Sequence, residues 1–304
     1  MLGAIITSLA LGALTKQVEV WDSVINAQSC TKLHNYASHH GLSHNIFHRK
    51  PGPDEQREGE LSILEEAIDS ILTELNDEAT VVEYWCRQEW KKIEAHSDVD
   101  ERLAIEEQVY RHPRNGHVLY LQVGSDVRGP TCLFLDCKFG GDLLKQKEND
   151  IDLITVPAVE GRLLRFEGSL LHAVPRPADL WLLPFTGLGP TDPEHIWGRS
   201  VVLFNTWPDD PPKGIKTVQS KSEMENNNDV KCNSLSSWEK IPIEEIKPSE
   251  NNKDDKLLSK CKIWLLGDGP RRDYPGRTIN LKAPLDLKDA LEKSRQPIFS
   301  QLEC

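Results

Sequence analysis

The amino-acid sequence predicts a mainly β domain, a sandwich or barrel with helices packed on one side. Three observations carry this. From Val81 onward, short runs rich in β-branched and aromatic residues recur: Val81–Trp85, Val118–Val123, Cys132–Leu135, Leu153–Val156, Arg162–Phe166 and Ser200–Trp207. Gly, Pro and Asp punctuate them, at Gly116, Gly124, Gly129-Pro130, Gly140-Gly141, Gly161 and Gly168. A helical preface precedes them, and helices followed by frequent short strands suit an antiparallel sheet protein covered on one side.

The preface reads as helical over residues 18–75. Trp21, Val24 and Ile25 share one helical face, and Leu61, Leu64, Ile68, Ile71, Leu72 and Leu75 recur at steps of three and four. Pro51-Gly-Pro53 separates the two runs. Ahead of them, Leu2 to Leu14 is apolar but shorter than the ~20 residues that span a bilayer. It lacks a basic flank, so an arm packing on the domain is the first reading and a targeting peptide the second. Residues 1–79 are thus expected as an N-terminal helical region lying against the larger sheet of a core formed by residues 80–207.

Residues 208–260 have a different texture. Asn226 to Asp229 and Asn251 to Asp255 are polar and aperiodic, which predicts a long flexible insertion. Order returns in residues 261–304. Lys262–Leu266 and Arg277–Leu281 flank the turn-rich Gly267-Asp-Gly-Pro270 and read as a hairpin, followed by a short helical run, Leu285–Leu291. A lone hairpin is too small to fold by itself, so it should add strands to the core.

Composition narrows the partners. The 304 residues suffice for one sizeable core, and a net charge of −12 disfavours broad contact with nucleic acid or an anionic membrane. Seven cysteines without a CxxC pair argue against a zinc ribbon or a disulfide framework. They fit a reducing compartment, the cytoplasm first. The substrate is expected to be a protein, a peptide or a small molecule.

The segment with most chemical content is Glu94-Ala-His96-Ser-Asp98-Val-Asp100-Glu101. On an extended backbone, residues two apart point to the same side. His96 and Asp98 can therefore approach one metal ion together. A second imidazole would complete the two-histidine, one-carboxylate set of non-haem Fe(II) oxygenases, which leaves coordination positions open. His172, 76 residues beyond His96, is the best candidate, because it follows the strand-like Arg162–Phe166 and the Gly168 turn. Asp100 and Glu101 are alternative carboxylates. Asp98 is preferred, with Asp100 placed behind the ligands to orient an imidazole.

Taken in order, these features resemble the Fe(II)/2-oxoglutarate-dependent dioxygenases, on the prolyl 4-hydroxylase-like side. The family's H-x-D is His96-Ser-Asp98, its YLN-type strand is Tyr120-Leu-Gln122, and its GGET-type turn is Arg128-Gly-Pro-Thr131. Its distal H-x-V is His172-Ala-Val174, and its final strand is Arg199-Ser-Val-Val-Leu-Phe204. The resemblance covers about residues 80–207 and implies a double-stranded β-helix, or jelly roll. It implies iron on His96, Asp98 and His172, with 2-oxoglutarate anchored by Arg199 and helped by Tyr120 and Thr131. O2 would be the oxidant and ascorbate the accompanying reductant. The reaction implied is hydroxylation of a C–H bond, peptidyl proline among the candidates, with release of succinate and CO2. Two departures stand out. Arg199 lies 27 residues past His172, where the family keeps about ten to fourteen, so residues 178–198 read as an inserted loop near the site mouth. The turn is Gly-Pro-Thr rather than Gly-Gly-Glu-Thr. Arg162, Arg165 and Arg176 are rival anchors.

Other features have plainer readings. His34, His39, His40, His44 and His48 fit a polar helix surface better than a second metal site. Trp85 and Trp207 fit core packing, whereas Trp181 and Trp197 sit in the insertion and are better placed for substrate. Two other functions remain compatible with the sequence: a catalytically silent β-helix scaffold, and a cupin-like metal enzyme that does not use 2-oxoglutarate.

Overall fold

The structure, a computed structural model, describes residues 17–40, 43–49, 61–87, 93–123, 130–137, 151–175, 199–208, 210–215, 230, 232–246, 258–265, 277–284 and 295–302. Its elements begin with β1 (Val18–Asp22), α1 (Ala27–His40), β2 (Asn45–His48) and α2 (Ile63–Glu74). Next come β3 (Val81–Arg87), β4 (Ile93–His96), α3 (Glu101–Glu107), β5 (Asn115–Val123) and β6 (Thr131–Phe134). Then follow β7 (Ile151–Val156), β8 (Leu163–Glu167), β9 (Leu171–Val174) and β10 (Arg199–Trp207). Five strands close the chain: β11 (Glu239–Lys240), β12 (Glu244–Glu245), β13 (Leu258–Leu265), β14 (Arg277–Pro284) and β15 (Ile298–Leu302).

Strands β3 to β10 make the core. One ladder runs β8-β5-β10-β3 and the other β7-β6-β9-β4, antiparallel throughout. The chain therefore winds between two facing sheets as a double-stranded β-helix, the jelly-roll arrangement. β1, β11 and β2 extend the first sheet to seven strands, and β12, β15, β13 and β14 extend the second to eight.

Alternation along β10 shows how the core is divided. Val202 and Phe204 point toward the helices, while Val201 and the half-buried Leu203 point between the sheets. On the helix side, Leu33 of α1 and Leu64, Ile68, Ile71 and Leu72 of α2 pack on Leu119, Leu121, Val82 and Tyr84. Each fully buried Leu or Ile contributes about 1.5–3 kcal/mol relative to exposure. α2 begins with a capping box: Ser62 Oγ accepts from Glu65 N at 3.3 Å, and Glu65 Oε2 accepts from Ser62 N at 2.8 Å. Glu65 Oε1 also accepts from the Tyr84 hydroxyl at 3.0 Å, tying α2 to β3. Burial, and then the Glu65 charge, push the Tyr84 phenol up, so it remains a donor.

The six strand runs expected from sequence are all strands, and the 61–75 periodicity is α2. The first part of the preface differs. Val18–Asp22 is a strand rather than a helix, paired with β8 from Val18↔Phe166 to Trp21↔Leu163. Val18, Glu19 and Val20 alternate with period two, and the open edge of β8 selects that pattern over a helical one. Val24 and Ile25 lie in the turn before α1, buried with Trp21. The helices cover the seven-stranded sheet, not the one with more strands.

The stretch expected as a flexible insertion also carries ordered elements. Trp238 stands edge-on to Trp21, with ring centroids 6.0 Å apart, and its Nε1 donates to Asn233 O at 2.8 Å. Val230 and Ile241 are buried, β11 pairs with β1, and β12 pairs with β15. A few apolar residues spaced through polar text cover the edge of β1, a pattern that average composition hides. The 258–284 hairpin runs from Leu258↔Pro284 to Leu265↔Arg277, and β13 meets β4 in parallel through Leu265↔Ala95. The apolar run 2–14, the insertion 178–198 and the helical run 285–291 lie outside the described residues. Among the described residues no helix is long and apolar enough to cross a membrane.

Two measurements test this account. Trp238→Ala should lower the free energy of unfolding in urea by ~3–5 kcal/mol, the range for deleting a buried aromatic; a flexible insertion would show no change. His117 is buried against Phe204, with rings 4.4 Å apart, and its Nδ1 donates to Phe204 O at 3.1 Å. Burial, then the Arg165 charge, push its pKa down from 6.5 to about 3, partly offset by Asp77 and the Phe204 carbonyl. The unfolded chain therefore binds a proton that the folded chain refuses between those values. Stability should fall as pH drops from 6.5 toward 3, and His117→Gln should remove one proton from the slope.

Candidate metal centre

The centre is built by the pairing of β4 with β9, which sets His96 directly opposite His172. Cross-strand partners share a face, and the two imidazoles lie 4.4 Å apart between centroids. His96 Nδ1 bonds Glu94 O at 2.7 Å and His172 Nδ1 bonds Leu170 O at 3.1 Å. A carbonyl can only accept, so each Nδ1 carries the hydrogen and each Nε2 keeps its lone pair. Both Nε2 atoms face Asp98 Oδ1, at 3.6 Å from His96 and 3.9 Å from His172. These separations are too long for hydrogen bonds. They lie within reach of atoms that each approach one ion to ~2.0–2.2 Å. Among the described residues this is the one grouping of three potential ligands, with its donor atoms within 4.8 Å of one another.

Neighbouring groups hold Asp98 in place. Asn205 Nδ2 donates to Asp98 Oδ2 at 3.1 Å, while Oδ1 faces the two imidazoles. His112 Nδ1 donates to the Asp98 carbonyl at 2.8 Å and fixes the loop after β4. The residues therefore fit a divalent metal: two imidazole lone pairs, one carboxylate oxygen, and a hydrogen-bonded shell that orients each.

Asp100 does not join them. It caps α3, accepting from Leu103 N at 3.0 Å, Lys213 N at 3.0 Å and Arg111 Nη2 at 2.7 Å. Burial pushes its carboxyl up, but those two amides and Arg111 outweigh it and hold it below the usual range. The expectation that Asp100 orients a ligand imidazole is thus corrected. The chain turns into a helix at that residue, and backbone carbonyls orient the rings instead. Glu101 is the exposed first residue of α3.

A second cluster lines the space between the sheets. Arg199, Thr131 and Tyr120 are all buried. Thr131 Oγ1 is 2.8 Å from the Tyr120 hydroxyl and accepts from Arg199 Nη2 at 3.3 Å, while the guanidinium lies 5.2 Å from the Tyr120 ring centre. Arg199 Nε has no hydrogen-bond partner, and among the described residues no carboxylate pairs with this arginine. A buried guanidinium without a counter-ion costs several kcal/mol, so the arrangement suits an incoming acid. Two rival anchors are already engaged. Arg162 grips Asp22 with two hydrogen bonds, of 2.6 and 2.9 Å, and Arg165 pairs with Asp77 at 3.1 Å. Arg176 lies outside the described residues, as do Trp181 and Trp197.

Sequence reasoning missed Asn205 and His112. Asn205 could have been found, since it falls on the period-two row that Arg199 begins. The five-histidine stretch forms no metal grouping among the described residues; His44 stacks on Trp85 at 4.4 Å and its Nδ1 lies 2.6 Å from Glu83 Oε1.

No protein-family model matches the chain, and no curated protein matches it. Among solved structures it is similar to HygX from Streptomyces hygroscopicus with iron bound, at 13% identity and a TM-score of 0.38, over 64% of this chain and 85% of that one. A Pseudomonas putida prolyl-4-hydroxylase follows at 13% identity and a TM-score of 0.37, over 66% and 92%. A viral collagen prolyl hydroxylase from Paramecium Bursaria Chlorella virus-1, solved as a 2-oxoglutarate complex, has 14% identity and a TM-score of 0.35, over 62% and 96%.

Asp100→Asn separates the cap from the metal ligands. It should lower the melting temperature, because a buried charge-assisted network loses its acceptor, while Mn(II) affinity measured by calorimetry stays within about twofold of the parent chain.

Proposed function

We propose that this chain is a non-haem Fe(II)- and 2-oxoglutarate-dependent oxygenase that hydroxylates a C–H bond. The observation that carries the reading is the pair of Nε2 lone pairs facing Asp98 Oδ1, each ring tied back by its own strand. His96, Asp98 and His172 would hold the iron, and three ligands on one side leave room for a co-substrate and O2. Iron with 2-oxoglutarate and O2 bound supplies the oxidising power for C–H hydroxylation, releasing succinate and CO2.

The chain's own residues do the positioning. Arg199 suits the distal carboxylate of 2-oxoglutarate, since a guanidinium makes two parallel charge-assisted bonds to a carboxylate. Thr131 and the Tyr120 hydroxyl fix the approach of that guanidinium and add polar contacts. The sheets bury this end of the pocket and exclude water, which strengthens the pairing. The buried Arg199, with no carboxylate partner among the described residues, favours a 2-oxoglutarate enzyme over a cupin-like enzyme or a silent scaffold. Peptidyl proline is the first substrate to try, and ascorbate the first reductant.

The test has two arms. The parent chain should bind one Mn(II) by calorimetry, and His96→Ala, Asp98→Asn and His172→Ala should each lose measurable binding. Arg199→Met should keep Mn(II) yet weaken 2-oxoglutarate by ~2–4 kcal/mol, or about 30- to 1000-fold. Turnover is then read as succinate formed from 2-oxoglutarate with Fe(II), ascorbate, and peptide or small-molecule pools. Unaltered metal affinity in His172→Ala would end this reading.

A further inference from the structure

A third row of side chains faces the same interior. β3 pairs with β10 through Asn205↔Glu83, Leu203↔Trp85 and Val201↔Arg87. Paired residues on antiparallel strands share a face. Glu83, Trp85 and Arg87 therefore lie on the side of the sheet that carries Arg199 and Asn205, while Val82, Tyr84 and Cys86 turn to the helices.

The polar groups on this row are unevenly satisfied. Glu83 is fully engaged, by His44 Nδ1 at 2.6 Å and by Trp207 Nε1 at 3.1 Å. Arg87 has no carboxylate ion pair among the described residues, unlike Arg111, Arg162 and Arg165. Its Nε is buried without a hydrogen-bond partner, and the same holds for Trp85 Nε1 and Arg199 Nε on this face. Three donors on adjacent rows thus lack acceptors. Desolvation pushes the Arg87 guanidinium pKa down, the Arg199 charge adds to this, and Asp98 opposes it. Arg87 pairs with Val201, two residues along β10 from Arg199, so both guanidiniums stand at the same end of this face. The carboxylate that opposes the shift at Arg87, Asp98, is the one assigned to the metal. Arg87 is half-buried, whereas Arg199 is 2% exposed.

We propose that Arg87 is a second anion-binding residue of this pocket, and that the primary substrate carries a carboxylate or similar acidic group which Arg87 holds. The inference rests on the assignment of Arg199 to 2-oxoglutarate. Two guanidiniums of like charge in a partly desolvated space are relieved by two anions, and the co-substrate's distal carboxylate satisfies one of them. The net charge of −12 sharpens the point. The field of the whole chain repels acidic molecules, so selection for one needs a local cation inside the pocket. Trp85 Nε1, two residues along the same face, offers a neutral donor to the same acceptor-rich group.

The experiment titrates the full chain, loaded with Mn(II) and saturated with 2-oxoglutarate, with paired acids and amides. The probes are benzoate against benzamide and 3-phenylpropionate against 3-phenylpropanamide. The parent chain should bind each acid at least ~10-fold more tightly than its amide, and Arg87→Gln should reduce the ratio to about 1–2. The dissociation constant of 2-oxoglutarate itself should stay within about twofold in Arg87→Gln. Arg87→Met, which keeps the apolar stem, takes its place if the glutamine variant does not fold. Equal binding of acid and amide by the parent chain overturns the proposal. So does a tenfold loss of 2-oxoglutarate affinity in Arg87→Gln, which would assign Arg87 to the co-substrate. The same titration of metal-free protein separates the two readings. Failure of the parent chain to bind Mn(II) or 2-oxoglutarate sinks the oxygenase reading alone, whereas an acid preference that survives in Arg87→Gln sinks this one.

Discussion

The register of β4 against β9 is the constraint on which the site depends. Both strands are four residues long, and their pairing places His96 opposite His172. Side chains alternate with period two, so a slip of one residue would turn an imidazole out of the centre. β4 is held on both edges, by β9 on one side and by the Leu265↔Ala95 contact of β13 on the other. Strands this short have few ladder bonds of their own, so neighbours on both sides set the register. The late hairpin is in this sense part of the support for the centre, although it lies far from it in sequence.

A polar interior of this kind needs stability from elsewhere. The layer between α1, α2 and the seven-stranded sheet is apolar and fully buried at Leu33, Ile68, Ile71, Leu72, Val202 and Phe204. The opposite face of the same sheet can then carry Arg199, Asn205, Glu83 and Arg87. One strand, β10, serves both sides through simple alternation. The interior still has apolar walls at Val118, Val201, Leu133 and Ile154, which exclude water around the charged groups. Low local polarity strengthens each properly paired interaction and raises the cost of each unpaired one.

The arginines show how such costs distinguish support from recognition. Arg162 is fully buried, but it holds Asp22 by two bonds and two backbone carbonyls besides. Arg165 holds Asp77 and lies 3.6 Å from Glu19. Both have carboxylate partners within the chain and fasten β8 to its surroundings. A buried Nε without an acceptor is common to Arg165, Arg199 and Arg87, but among the described residues neither Arg199 nor Arg87 has a carboxylate ion pair. An ion pair within the fold marks the first two as support, whereas a buried guanidinium without one carries a cost that a bound anion would relieve.

Much of this was legible in the sequence. Runs of β-branched residues between turn residues mark their own strands, because steric preference and alternation are local properties. The same holds for α2, whose capping box and apolar spacing lie within fifteen residues. The spacing of two between His96 and Asp98, and the row that starts at Arg199, are likewise local. What only the tertiary structure decided depends on partners distant in sequence. Val18–Asp22 became a strand because β8 offered an open edge, and Trp238 found its place against Trp21, more than two hundred residues earlier. Asp100 was drawn away from His96, Asp98 and His172 by Arg111 and the Lys213 amide. Pairing with β10 set Arg87 on the face that Arg199 shares. Local sequence determines which way a side chain alternates, but only long-range pairing determines what it then faces.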